Sequence, residues 1–116
     1  MNLKNTKECE VYFSKLEKIR NTVEEKVKKM EMIPDKLMTE YKSEYENFSK
    51  CYFSKKISIP GIKENILRTL EQIINYKEKI NKIPKIIRIF KKDLVNNYLK
   101  FLDMSEMMCR DFLKKL

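Results

Sequence analysis

The residues with the clearest chemical potential form one basic run. From Lys77 to Lys92 the chain reads KEKINKIPKIIRIFKK, in which seven of sixteen positions are basic and one is acidic. Lys77, Lys79, Lys82, Lys85, Arg88, Lys91 and Lys92 are the candidate anion- or partner-binding residues. Clustered cations raise a positive potential that attracts phosphates or an acidic protein surface. Interleaved Ile86, Ile87, Ile89 and Phe90 also fit a helix lying on an anionic membrane surface, but packing into a core is the simpler reading.

Other chemistries lack their parts. There is no histidine, so no Ser-His or Cys-His dyad, imidazole metal site or Glu-x-x-His pattern can be assembled. One glycine cannot make a phosphate-cradling loop. Glu24 and Glu25, adjacent in sequence, diverge around a helix and sit among lysines. Met104, Met107 and Met108 beside Cys109 have soft ligand atoms, yet their helical spacing suits packing better. No catalytic residue, cofactor, metal or small-molecule substrate is expected.

The net charge of +9 comes from 26 basic and 17 acidic residues. Lysine supplies 22 of those positive charges and arginine only 4. Arginine is the better bidentate phosphate ligand, and nothing resembles helix-turn-helix spacing or exposed aromatics for base stacking. Nucleic-acid association is therefore a second expectation, behind binding of a protein.

Cys9, Cys51 and Cys109 form no close pair, and each falls on an apolar helical stripe. An odd, dispersed set reads as reduced, buried thiols in a cytoplasmic or nuclear protein. A Cys9–Cys109 bond joining the chain ends, as in a small secreted four-helix ligand, is the rival. The first residues hold no apolar h-region of a signal peptide, and no window approaches the ~18 apolar residues of a membrane span.

Three Ile-Pro steps organise the elements that must position these residues: Ile33-Pro34, Ile59-Pro60 and Ile83-Pro84, the middle one followed by Gly61. Proline lacks a backbone N–H and clashes with the preceding turn, so each step ends, starts or kinks a helix. The result is four segments of 33, 26, 24 and 33 residues. Helices are expected at about 5–32, 35–56, 61–82 and 85–115, with Asn5 or Thr6 capping the first and Ser58 or Gly61 the third.

Apolar residues recur at three- and four-residue steps in every segment. The stripes are Cys9, Tyr12, Leu16, Ile19, Val23, Val27 and Met30; Met38, Tyr41, Tyr45, Phe48 and Tyr52; Ile62, Ile66, Leu70, Ile73 and Ile80, widened by Leu67 and Ile74. The fourth is Ile87, Phe90, Leu94, Tyr98, Phe101, Met108 and Phe112, flanked by Val95, Leu102, Cys109, Leu113 and Leu116. Being widest, the fourth should be the most buried or should also meet a partner. The tyrosine-rich second helix should border solvent or a partner.

The expected fold is an all-α, single-domain, antiparallel up-down-up-down four-helix bundle. Pro34 and Pro84 lie 25 residues either side of position 59, so a two-helix coiled-coil hairpin kinked at both is the alternative. In the bundle, the first and third connections share one positively charged end. The expected function is that of a non-enzymatic adaptor or scaffold subunit docking an apolar helix face on a partner protein or a second copy.

Overall fold

The computed structural model describes residues 3–54 and 59–116, with the side chains of residues 3–7 excepted. The protein is an all-α helical bundle, and no strand occurs among the described residues. Its helices are α1 (Leu3–Lys28), α2 (Asp35–Ser54), α3 (Ile62–Asn81), α4 (Lys85–Phe90) and α5 (Lys92–Lys115). The closest packing joins α1 to α2 and α3 to α5, with α2 against α5 holding the two hairpins together. The chain reverses at both Pro34 and Pro84, which removes the kinked two-helix alternative. The rod-like whole measures 55 × 24 × 17 Å.

The first reversal is a built device. Met30 takes a left-handed φ of 57°. Around it the Glu31 N–H donates to the Lys26 carbonyl at 2.8 Å and the Met30 N–H to the Val27 carbonyl at 3.1 Å. This paired closure is a Schellman motif, in which glycine is the usual left-handed residue. The helix therefore ends at Lys28 rather than near 32, and Met30 leaves the stripe for solvent.

The connection is then strapped to α5. The Ile33 N–H donates to Asn97 Oδ1 at 2.7 Å, and Asn97 Nδ2 donates to the Ile33 carbonyl at 3.0 Å. Tyr98 donates its hydroxyl proton to the Glu31 carbonyl at 2.8 Å. One side chain thus satisfies both backbone polar groups of buried Ile33, and its loss would leave them without a partner.

The middle reversal uses Gly61 as N-cap of α3, with φ 75°. That conformation costs glycine little and other residues more. Gly61 has no side chain to cap the helix, and the other capping candidate, Ser58, lies outside the described residues, as does the expected extension of α2 to 56. Asn5 and Thr6 fall inside α1, so neither is its cap.

Three expectations about the stripes need correction. The aromatic stripe of the second helix does not border solvent: Met38, Tyr41, Tyr45, Phe48, Cys51 and Tyr52 are all buried, because α2 packs against both α1 and α5. Its aromatic face is unavailable for docking. The fourth segment is not one helix and not the most buried. It breaks at Lys91 (φ −108°, ψ 28°), and this non-helical residue puts Ile87 and Phe90 out of phase with Leu94 and Tyr98. Consequently α4 buries no residue, while α5 buries Phe101, Ser105, Met108, Cys109 and Phe112.

The third correction concerns the thiols. All three cysteines are buried, but Cys9 and Cys51 form a disulfide across α1 and α2, with Cα atoms 5.6 Å apart. Cys109 is free, so the Cys9–Cys109 pairing does not occur. Beside the disulfide the core is aromatic. Phe112 stacks on Phe48 at 5.5 Å between centroids and meets Tyr52 at 5.3 Å and Phe53 at 4.9 Å. Such ring pairs contribute roughly 0.5–1.5 kcal/mol beyond the area they bury.

Candidate functional site

Two features lie toward the end of the bundle that carries the first and third connections. One is an exposed apolar and basic projection; the other is a cavity between the hairpins.

The projection is α4. Phe90 is 84% exposed, Ile86 69% and Ile89 65%, with Ile87 also exposed. The expected core packing of these residues is not found. Met30, Met32, Ile89, Phe90 and Leu94 surround one shallow depression whose remaining walls are Lys91, Lys92 and Asp93. The left-handed turn at Met30 and the break at Lys91 together assemble this surface, since each turns an apolar side chain out of its stripe. Contiguous exposed apolar surface of this kind marks sites of association.

The candidate basic residues divide into two sets. Lys82 caps the C-terminus of α3, Lys85 and Arg88 belong to α4, and Lys91 and Lys92 form the junction with α5. Lys91 and Lys92 line the apolar depression, Lys85 and Arg88 share α4 with the exposed apolar residues, and Lys82 lies just before it in sequence. Lys77 does not join them. Its ammonium pairs with Asp103 and, at 2.8 Å, with Glu106, both on α5. Partial burial disfavours its charge, but the hydrogen bonds to Asp103 and Glu106 prevail and hold its pKa above the ordinary lysine value. The same bond from Lys77, followed by one from Arg110, holds the Glu106 carboxyl below its usual range. Lys77 is thus a bridge between α3 and α5. Lys79 lies 5.6 Å from the Tyr76 ring centroid and lines the cavity.

That cavity has a volume of about 560 Å³ and lies where the C-terminal half of α1 faces that of α3. Val23, Val27, Ile73, Ile80, Ile83 and Leu102 make its walls largely apolar. Its floor is polar. Arg20 reaches in from α1 and donates from Nη1 to Thr69 Oγ1 on α3 at 2.8 Å, while Tyr41 of α2 and Ser105 of α5 complete the floor. The guanidinium carbon stands 5.9 Å from the Phe13 ring centroid. Arg20 has no ion pair among the described residues. Arg20 Nε is buried without a hydrogen-bond partner, and the buried hydroxyls of Tyr41 and Ser105 adjoin each other without well-formed hydrogen-bond geometry.

One turn further along α2 and α5, the Tyr45 hydroxyl adjoins the Cys109 thiol. Burial pushes the ionisation of Tyr41, Tyr45 and Cys109 upward, so all three are neutral at physiological pH.

The polar floor had a partial signal in the sequence. Thr69 occupies a stripe position between Ile66 and Ile73, and Ser105 sits in step with Phe101, Met108 and Phe112. A small hydroxyl at such a position marks a place where the core is not fully apolar. Arg20, next to Ile19 and three residues before Val23, carried no comparable mark. No protein-family model, curated protein or solved structure matches this chain.

Proposed function

We propose that this protein is a non-enzymatic helical docking module that binds a partner protein through α4 and the neighbouring methionines. The exposure of every apolar residue of α4 carries this reading. Exposed aromatic and methionine side chains supply apolar area that adapts to a partner surface. Lys82, Lys85, Arg88, Lys91 and Lys92 select a partner with acidic groups around an apolar centre.

The Cys9–Cys51 bond supports work outside a reducing cytosol, in a secreted or luminal setting. It shifts weight from the intracellular subunit toward the small secreted helical module. Nucleic-acid association is less well supported, because the cations are interspersed with bulky aliphatic residues instead of lining a continuous basic groove.

The test is capture of the partner by the folded protein, compared with the triple variant Ile86→Ser, Ile89→Ser, Phe90→Ser. Those side chains are exposed, so the variant keeps its helical circular dichroism and melting temperature. Loss of the captured protein supports the reading. A partner held equally by the variant overturns it, as does binding that moves instead to phosphatidylserine vesicles or to RNA.

A further inference from the structure

The cavity between the hairpins poses a separate chemical question. Its wall is built of aliphatic side chains, yet its floor brings together a guanidinium and two hydroxyls with unspent hydrogen-bonding capacity. Tyr41 is fully buried and Ser105 nearly so. Buried polar atoms of this kind are ordinarily satisfied, by protein, water or ligand. The Tyr41 and Ser105 hydroxyls lie within reach of each other, so one donates to the other and a single hydroxyl proton remains beside that of Arg20 Nε. The floor's own acceptors are neutral hydroxyls, and the uncompensated charge of Arg20 favours an anionic one.

The shape is equally specific. A cavity of about 560 Å³ falls in the range of small-molecule sites and well above that of a single buried water. Its aliphatic wall extends from this floor along α1 and α3 to Ile80 and Ile83 beside the third connection. Lys28 and Lys79 stand on the lining, offset by only one acid, Glu24.

We infer that this cavity binds a slender apolar chain ending in a single anionic group, such as a long-chain carboxylate, with the head on Arg20, Tyr41 and Ser105 and the chain between α1 and α3. Both requirements come from different residues: the floor selects the head and the aliphatic wall selects the tail. The site is independent of α4, whose residues take no part in the lining.

The experiment titrates the folded, disulfide-intact protein with palmitate, hexadecyl phosphate, hexadecanol and hexadecylamine, each below its aggregation concentration. Calorimetry and melting temperature are the readouts. Palmitate or the phosphate binds one to one and raises the melting temperature. The alcohol and the amine bind roughly ten- to a hundredfold more weakly, the range expected for hydrogen bonds to a charged group. Each methylene removed from the tail lowers affinity roughly fourfold.

Arg20→Met brings the carboxylate down to the affinity of the alcohol, and Arg20→Lys restores part of the difference. Ile80→Trp, a filling substitution on the half-buried wall, abolishes binding, whereas Phe90→Ser leaves it unchanged. Equal affinity for carboxylate and alcohol overturns the inference. So does the absence of one-to-one binding by the unmodified protein, a result independent of whether any variant folds. Binding lost with Phe90→Ser but retained with Ile80→Trp places the ligand on α4 and overturns it equally.

Discussion

The two ends of the bundle treat aromatic side chains in opposite ways. At the end where α5 finishes, Phe112 is buried among Phe48, Tyr52 and Phe53, beside the Cys9–Cys51 bond. At the other end Phe90, on the same sequence segment, is almost wholly exposed. A covalent tie and a tight ring cluster stabilise the first end. At the second, an open cavity, an exposed short helix and two proline-marked reversals leave apolar surface uncovered. The stabilising contacts and the uncovered apolar surface are thus spatially separated, and the tight end allows the open end to keep surfaces that core packing would otherwise consume.

Truncation of the two phenylalanines separates the ends by the largest expected effect. Phe112→Ala leaves a hole in the ring cluster and is expected to cost about 4 kcal/mol in urea unfolding. Phe90→Ala is expected to change stability by less than about 0.5 kcal/mol. Similar costs at both sites would show that the ends do not differ.

Removal of the disulfide by the double change Cys9→Ser, Cys51→Ser comes next. The bond closes a 42-residue separation, and loop entropy alone assigns about 4 kcal/mol to such a closure, an upper value where the unfolded chain keeps structure. A loss of at least about 2 kcal/mol is expected from denaturant midpoints. A neutral result would leave the ring cluster as the sole anchor of that end.

Asn97→Ala probes the open end. It strips both hydrogen bonds from the Ile33 peptide and is expected to cost about 2 kcal/mol, the penalty of unpaired buried backbone groups. A distinct signature accompanies it: hydrogen exchange rises at residues 31–33 while α2 near Phe48 stays protected.

The smallest effect is electrostatic. Glu106 ionises below the ordinary carboxylate range because Lys77 and Arg110 bond its charged form. Its stabilisation is complete above its unfolded pKa, near 4.3, and is lost as pH falls through the lower folded value. Glu106→Gln therefore lowers stability slightly in the neutral region, by less than about 1 kcal/mol for a pair still partly in contact with water, and flattens the acid limb, where the two proteins converge. An acid limb unaltered by the change would detach Glu106 from the coupling of α3 to α5.

Much of the architecture was legible in residue types. Proline at 34 and 84 and period-3.6 stripes imply paired helices, because both signals are local. What escaped depends on relations between helices. The pairing of Cys9 with Cys51 needs the axial register of α1 on α2. The burial of α2 needs to know that it has two neighbours. The exposure of α4 follows from one non-helical residue at Lys91, where the surrounding types carry no breaker. The cavity depends on how far α1 stands from α3, a spacing no single stripe records. Only its hydroxyls, Thr69 and Ser105, interrupted an apolar pattern visibly.

The Cys9–Cys51 bond has a topological consequence. With the turn at residues 29–34 at the opposite end, it makes α1 and α2 a covalent ring. Residues 59–116 are joined covalently to that ring at one point only. When the chain unfolds, α1 and α2 therefore stay held at both ends, whereas α3, α4 and α5 are held to them only by packing.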